Sequence, residues 1–63
     1  MPIIEVKMLE GRTPEQKSRL SRELTEVAMR VLDVRPEAVR VLIEEIPPAH
    51  WSIGGVSFAE RSP

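Results

Sequence analysis

The first residue of this chain that could do chemistry is Pro2, directly behind the initiator methionine. Removal of Met1 would leave Pro2 with a free secondary amine, which is a base that needs no side chain. Pro2 also has a plain structural interpretation, because proline is tolerated as the first residue of a strand, where its missing N–H removes no ladder bond. The other residues of the chain are needed to tell whether Pro2 is a catalytic base or only the first residue of a strand.

Two arginines stand at positions that could bind an anion. Arg12 follows an apolar strand pattern and precedes a helix pattern, and loops at strand ends are where α/β units place ligand groups. Arg40 interrupts the apolar run "AVRVLI", and a charged side chain there needs an exposed position or a partner. The simpler interpretation of Arg40 is an edge or mouth position, with its guanidinium in water or paired to a glutamate.

The remaining candidates are one histidine and one tryptophan. The chain has no cysteine, so schemes of the Ser-His-Asp or Cys-His type depend on His50 alone, and we expect no zinc site of the usual kind. His50 follows "PPA", and we interpret it as structural or exposed, with a pocket position as the alternative. For Trp51, a core or interface position is the ordinary interpretation, and the wall of a ligand site is the alternative.

A strand and a long helix form the first half of the chain that must position these residues. Apolar and β-branched residues predict a strand over residues 2–9. Thr13 is predicted as the N-cap of a helix, with Pro14 at its first position and Gln16 completing a capping box. Apolar residues then recur every three or four positions, which predicts an amphipathic helix from Pro14 to about Asp33.

The second half of the chain predicts a strand and a small hairpin. "AVRVLIEEI" is typical of a strand, which ends before Pro47, and the Gly54-Gly55 pair predicts a turn between two short β segments. Strand, helix and strand make a β-α-β unit, whose strands should be parallel with a right-handed crossover. We therefore predict an α/β (α+β) fold, a single β-α-β unit with a short C-terminal hairpin.

The size and composition of the chain limit its stability and its partners. A core from 63 residues without disulfides is marginal, and one helix leaves a sheet face and both edges bare, so we expect one domain that associates with copies of itself. The net charge is −1, from nine basic and ten acidic residues, which argues against a nucleic-acid partner. Without a membrane-length apolar run or a signal-peptide pattern, we expect a cytoplasmic protein with no membrane partner.

Four segments of the chain, in register, resemble the 4-oxalocrotonate tautomerase family, also known as 2-hydroxymuconate tautomerases. They are the start "MPII", the turn and helix cap "LEGRTPEQK", the strand "VRVLIEE" and the segment "HWSIGG", and the likeness covers nearly the whole chain. The resemblance implies a homohexamer built as a trimer of dimers. It also implies a cofactor-independent isomerase that converts 2-hydroxymuconate-like dienols, small dicarboxylates or 2-hydroxydienoates, to α,β-unsaturated 2-oxo acids.

The resemblance further implies roles for five residues, contributed by different subunits. Pro2, once it is the N-terminus, is similar to the general base that moves the proton. Arg40 is similar to the arginine that engages the 2-hydroxy or 2-oxo group with its adjoining carboxylate, and Arg12 to the arginine that binds the distal carboxylate. Trp51 stands where the family has a phenylalanine that forms an apolar wall. The backbone N–H of Leu9 matches a position that holds an ordered water near the substrate.

Two alternatives to this reaction stay open at the level of the sequence. The same scaffold could act on a different pathway-specific enol or dienoate, such as one from secondary metabolism. A tryptophan in place of phenylalanine is bulkier and adds an N–H donor, so the substrate is the first property that it would change. The other alternative is a non-catalytic β-α-β assembly module, in which Pro2 only begins a strand.

Overall fold

The computed structural model of the chain describes residues 1–61 and confirms the predicted order of elements. The elements are β1 (Ile3–Leu9), α1 (Pro14–Leu32), β2 (Arg40–Ile46), β3 (Ser52–Ile53) and β4 (Val56–Ser57). Single turns of 3-10 helix at Pro36–Ala38 and Pro48–His50, which the sequence did not predict, precede β2 and β3. Pro2 lies immediately before β1 rather than inside it.

Both ends of α1 are set by the residues that flank it. The Gln16 N–H donates to Thr13 Oγ1 at 3.1 Å, and the Thr13 N–H donates to Gln16 Oε1 at 3.0 Å, which confirms the predicted capping box. Asp33 ends the helix in the left-handed conformation with φ 54°, which aspartate tolerates better than most side chains. Within residues 1–61, no helix combines the length and apolar character that crossing a bilayer requires.

The strands β1 and β2 are parallel, and their register runs from Ile3 opposite Arg40 to Leu9 opposite Ile46. One face of this sheet carries the half-buried side chains Ile4, Val6, Val41 and Ile43. An ion pair of 2.7 Å between Lys17 of α1 and Glu45 shows that α1 covers this face, because residues 41, 43 and 45 of a strand point to the same side.

The opposite face of the sheet has no layer over it within residues 1–61. Ile3 is 62 % exposed and Leu42 is 56 % exposed on this open face. The only buried apolar residue among residues 1–61 is Ala28. The radius of gyration is 14.9 Å, against about 11 Å for a compact chain of this length. A single copy therefore buries little apolar surface, which supports the prediction that one copy alone is only marginally stable.

We expect Leu42→Glu to prevent self-association, because an assembly that covers the open face would have to bury an unpaired carboxylate at a cost of several kcal/mol. Sedimentation velocity of the wild-type and variant proteins at equal concentration measures this. Ser18→Glu, which places the same charge at an exposed position of α1, is the matched control. An L42E protein that sediments like the wild type would show that the open face is not an interface.

Candidate active site

The structure brings Pro2 and Arg40 together at one end of the sheet. The Arg40 backbone N–H donates to the Pro2 carbonyl oxygen at 3.0 Å, and Ile3 lies directly opposite Arg40 in the register. Pro2 is half-buried, whereas Met1 and Arg40 are exposed. After removal of Met1, the free amine would therefore belong to the residue whose carbonyl oxygen is hydrogen-bonded to Arg40.

The turn before β2 orients the Arg40 side chain. The 3-10 turn at Pro36–Ala38 directs the Glu37 carbonyl oxygen to Arg40, whose Nη1 donates to it at 2.7 Å. The Glu37 carboxylate instead lies 3.9 Å from Arg35. Arg40 thus occupies the exposed mouth position that the sequence allowed, and its bond is to a backbone carbonyl rather than to a glutamate carboxylate. A guanidinium has five N–H donors, so donors remain for a ligand.

Leu9 lies at the other end of β1, about 20 Å from Ile3 by the rise of a strand. The bonds from Arg40 N–H to the Pro2 carbonyl and from Glu10 N–H to the Ile46 carbonyl show which residues of β1 bond to β2. Because alternate residues of a strand direct their backbone groups to opposite edges, the Leu9 N–H faces the open edge of β1. It is therefore placed to bond to a water or to a neighbouring chain.

Arg12 also lies at this far end of the sheet, in the loop between β1 and α1, and it is exposed. Within residues 1–61, Arg12 takes part in none of the ion pairs. Trp51 follows the far end of β2 by five residues and is half-buried. One chain thus pairs Pro2 with Arg40 at one end of the sheet and keeps Leu9 and Arg12 at the other end.

The hairpin holds Trp51 against Phe58, a residue that the sequence reasoning missed. Gly54 and Gly55 have φ of 62° and 85°, the two positive values that a type I′ hairpin turn needs. The Phe58 N–H donates to the Trp51 carbonyl oxygen at 2.9 Å, and the two rings stack at a centroid distance of 5.7 Å and an interplanar angle of 25°. A two-residue turn at 54–55 places 51 opposite 58, so the register could have predicted this pair.

Glu60 and Arg61, which follow β4, form hydrogen bonds back to the hairpin. The Ser57 N–H donates to Glu60 Oε2 at 3.0 Å, and the Glu60 N–H donates to Ser57 Oγ at 3.3 Å. The bond from the Ser57 N–H, and then that from its hydroxyl, hold the pKa of the Glu60 carboxyl below its ordinary value. The Arg61 guanidinium donates to the carbonyls of Ile53 at 2.9 Å and Val56 at 3.4 Å.

The remaining candidate, His50, is exposed in the 3-10 turn that precedes Trp51. Across residues 1–61, no group of three or more histidine, cysteine, aspartate and glutamate side chains is arranged to hold a metal ion. The candidates for chemistry are Pro2, whose nitrogen becomes an amine only when Met1 is removed, the exposed guanidinium groups of Arg12 and Arg40, and the aromatic pair of Trp51 and Phe58.

Comparison with known proteins identifies the family of the chain. The model of the tautomerase enzyme family matches residues 2–61, and a 2-hydroxymuconate tautomerase of Pseudomonas putida is 51% identical over 87% of each chain. The structure of TomN, a 4-oxalocrotonate tautomerase homologue in the tomaymycin biosynthetic pathway, is 48% identical over 95% of this chain and 92% of its own, with a TM-score of 0.91. A heterohexamer 4-oxalocrotonate tautomerase of Chloroflexus aurantiacus is 47% identical over 95% and 97%, with a TM-score of 0.87. The chain therefore belongs to the tautomerase family and is an isomerase that interconverts keto and enol groups.

Proposed function

We propose that the protein, after removal of Met1, converts 2-hydroxymuconate-like dienols to α,β-unsaturated 2-oxo acids, with Pro2 as the general base. The observation that carries the proposal is the hydrogen bond from the Arg40 N–H to the Pro2 carbonyl, because it holds these two residues next to each other on neighbouring segments of the chain. The relative from Pseudomonas putida, a 2-hydroxymuconate tautomerase, supports this choice of substrate.

The neighbouring arginine would suit the Pro2 amine to its task. A free secondary amine is normally protonated at working pH, whereas a general base works best with a pKa near that pH. A guanidinium about 7 Å away contributes ~2 kcal/mol against protonation at an effective dielectric constant of about 20, which is more than one pKa unit. An apolar pocket disfavours the ammonium form as well, so both effects lower the pKa of the Pro2 amine.

The proton would move within one bound substrate molecule. The Pro2 amine takes the proton from the 2-hydroxyl oxygen, the electrons shift through the conjugated diene, and the Pro2 ammonium returns the proton to a carbon. Arg40 engages the 2-oxo group and its carboxylate, and Arg12 binds the distal carboxylate through its planar fork. Fixed guanidinium charges in a dry site would stabilise the dienolate that forms between the two transfers.

The proposed site requires more than one copy of the chain. The strand β1 separates Pro2 from the Leu9 end by about 20 Å, which is far longer than a six-carbon substrate. A neighbouring copy that runs antiparallel along the open edge of β1 would bring its Arg12 end to the Pro2 end of the first. We propose that the assembly is a homohexamer of three dimers. The heterohexamer relative and the uncovered face of the sheet support this assembly, and the cytoplasmic location stays a prediction.

The ultraviolet absorbance of 2-hydroxymuconate tests the proposed function. Protein whose intact mass shows that Met1 is absent should convert the dienol to the conjugated ketone far faster than buffer does. The same chain with Met1 retained is the matched control, because its Pro2 nitrogen is an amide without an available lone pair. No conversion above the buffer rate by processed, assembled protein would exclude this substrate.

A second candidate substrate is a larger conjugated enol from a biosynthetic pathway. The similarity to TomN favours it, because that homologue belongs to the tomaymycin biosynthetic pathway. Trp51 favours it too, since an indole offers more apolar area than a phenyl ring and adds a donor. Family membership argues against the non-catalytic module.

A further inference from the structure

We propose that Phe58 is a positioning residue that sets the plane of the Trp51 indole and thereby selects planar, conjugated substrates. This inference rests on the proposed function and deepens it, because Trp51 is the proposed apolar wall. It starts from the stacked pair, whose ring centroids lie 5.7 Å apart at 25°. Phe58 packs against the face of the Trp51 indole that is turned away from the proposed substrate, and it does not itself need to touch the substrate.

The backbone fixes the position of Phe58 relative to Trp51. The register pairs Ser52 with Ser57, and the next pair outward is joined by the bond from the Phe58 N–H to the Trp51 carbonyl at 2.9 Å. The two side chains therefore start from the same rung of the hairpin and need only their own rotamers to stack. Arg61 ties both sides of the turn together through the Ile53 and Val56 carbonyls.

The stack leaves Trp51 with one face and one edge for a ligand. A ring that Phe58 covers on one side can pack a substrate only on the other side. Offset stacking suits flat, conjugated partners, and a dienol has that shape along its whole conjugated length. Fixing the indole plane also fixes the direction of its Nε1–H, which is a donor only. Phe58 thus controls both the apolar contact and the one hydrogen bond that Trp51 can offer.

Phe58→Leu tests the inference, because it removes the ring and keeps an apolar side chain. Without the Phe58 ring, the substrate must itself order the indole, so we expect KM for the dienol to rise about two- to tenfold, with a smaller change in kcat. The fluorescence of Trp51, the only tryptophan in a chain without tyrosine, should become easier to quench with acrylamide. Phe58→Tyr keeps the ring, so its KM and its acrylamide quenching should equal those of the wild type. The fluorescence is excited at the red edge of the tryptophan band, where the added tyrosine does not absorb.

A double-mutant cycle separates positioning from general destabilisation. In the background of Trp51→Leu, the Phe58→Leu change should have no further effect on KM, because the ring that it positions is gone. If Phe58→Leu does not assemble, Phe58→Met fills the same space with a flexible chain and serves in its place. A KM equal to that of the wild type, or an undiminished effect in the Trp51→Leu background, overturns the role of Phe58. If the wild-type protein does not convert the dienol, the proposed function fails instead.

Discussion

Replacement of Pro2 by alanine is expected to lower kcat for the dienol by about 10²- to 10⁴-fold, the range that a positioned general base contributes. The alanine amine is primary and rotates about its N–Cα bond, so no ring directs its lone pair at the substrate. The carbonyl that receives the Arg40 N–H is kept, so the assembly should survive. Steady-state kinetics, intact mass and sedimentation velocity of the two proteins measure this. Both masses must show that Met1 is absent.

The pH dependence of kcat/KM provides the companion test of Pro2. Only the free amine accepts a proton, so kcat/KM should rise with pH through the pKa of the Pro2 ammonium in the free enzyme. If the alanine variant keeps both the rate and the pH profile of the wild type, Pro2 is not the base and only begins the strand.

Replacement of Arg40 by alanine should lower kcat/KM by about 10²- to 10³-fold, the loss typical of removing one group that stabilises developing negative charge. Arg40→Lys keeps the charge but loses the planar fork, so its loss should be intermediate. Arg35→Ala is the matched control, because Arg35 caps the 3-10 turn that precedes β2, is exposed and pairs only with the Glu37 carboxylate among the ion pairs of residues 1–61. The measurement is steady-state kinetics with the dienol.

The Arg40 variant should also move the pH profile. Loss of a positive charge near the amine makes the ammonium form more favourable, so the pKa of Pro2 should rise. The rising limb of kcat/KM should then move to higher pH in Arg40→Ala and not in Arg35→Ala. Equal losses in both variants, or an unmoved limb, would remove Arg40 from the proposed mechanism.

The local elements were predictable because their signals lie close together in the chain. Thr13, Pro14 and Gln16 specify the helix start within four residues, and the structure shows the capping box that they predict. The apolar repeat predicts the extent of α1, and the Gly54-Gly55 pair specifies the turn of the hairpin. The parallel pairing of β1 and β2 follows from the helix between them.

The geometry of the candidate site was less accessible to sequence reasoning. No local pattern indicates that the Glu37 carbonyl orients Arg40, because this bond depends on a 3-10 turn whose signal is only one proline. The stack of Phe58 on Trp51 depends on the hairpin register, which becomes known only once the turn is taken as two residues long. The separation of Arg12 from Pro2 follows from the length of β1. Whether the two residues meet in one site depends on how copies of the chain pack together, and no pattern in the sequence specifies that packing.

The placement of Pro2 and Arg12 at opposite ends of β1 has an evolutionary consequence in the proposed assembly. Each copy gives its amine end to one site and its loop end to another, so a single codon change enters every site of a homo-oligomer at once. All sites of the assembly therefore change together, and remain identical, while one gene encodes every copy. Gene duplication would release this constraint, because two kinds of chain could then specialise at opposite ends of a shared pocket. A heterohexamer within the family has the composition that such specialisation requires.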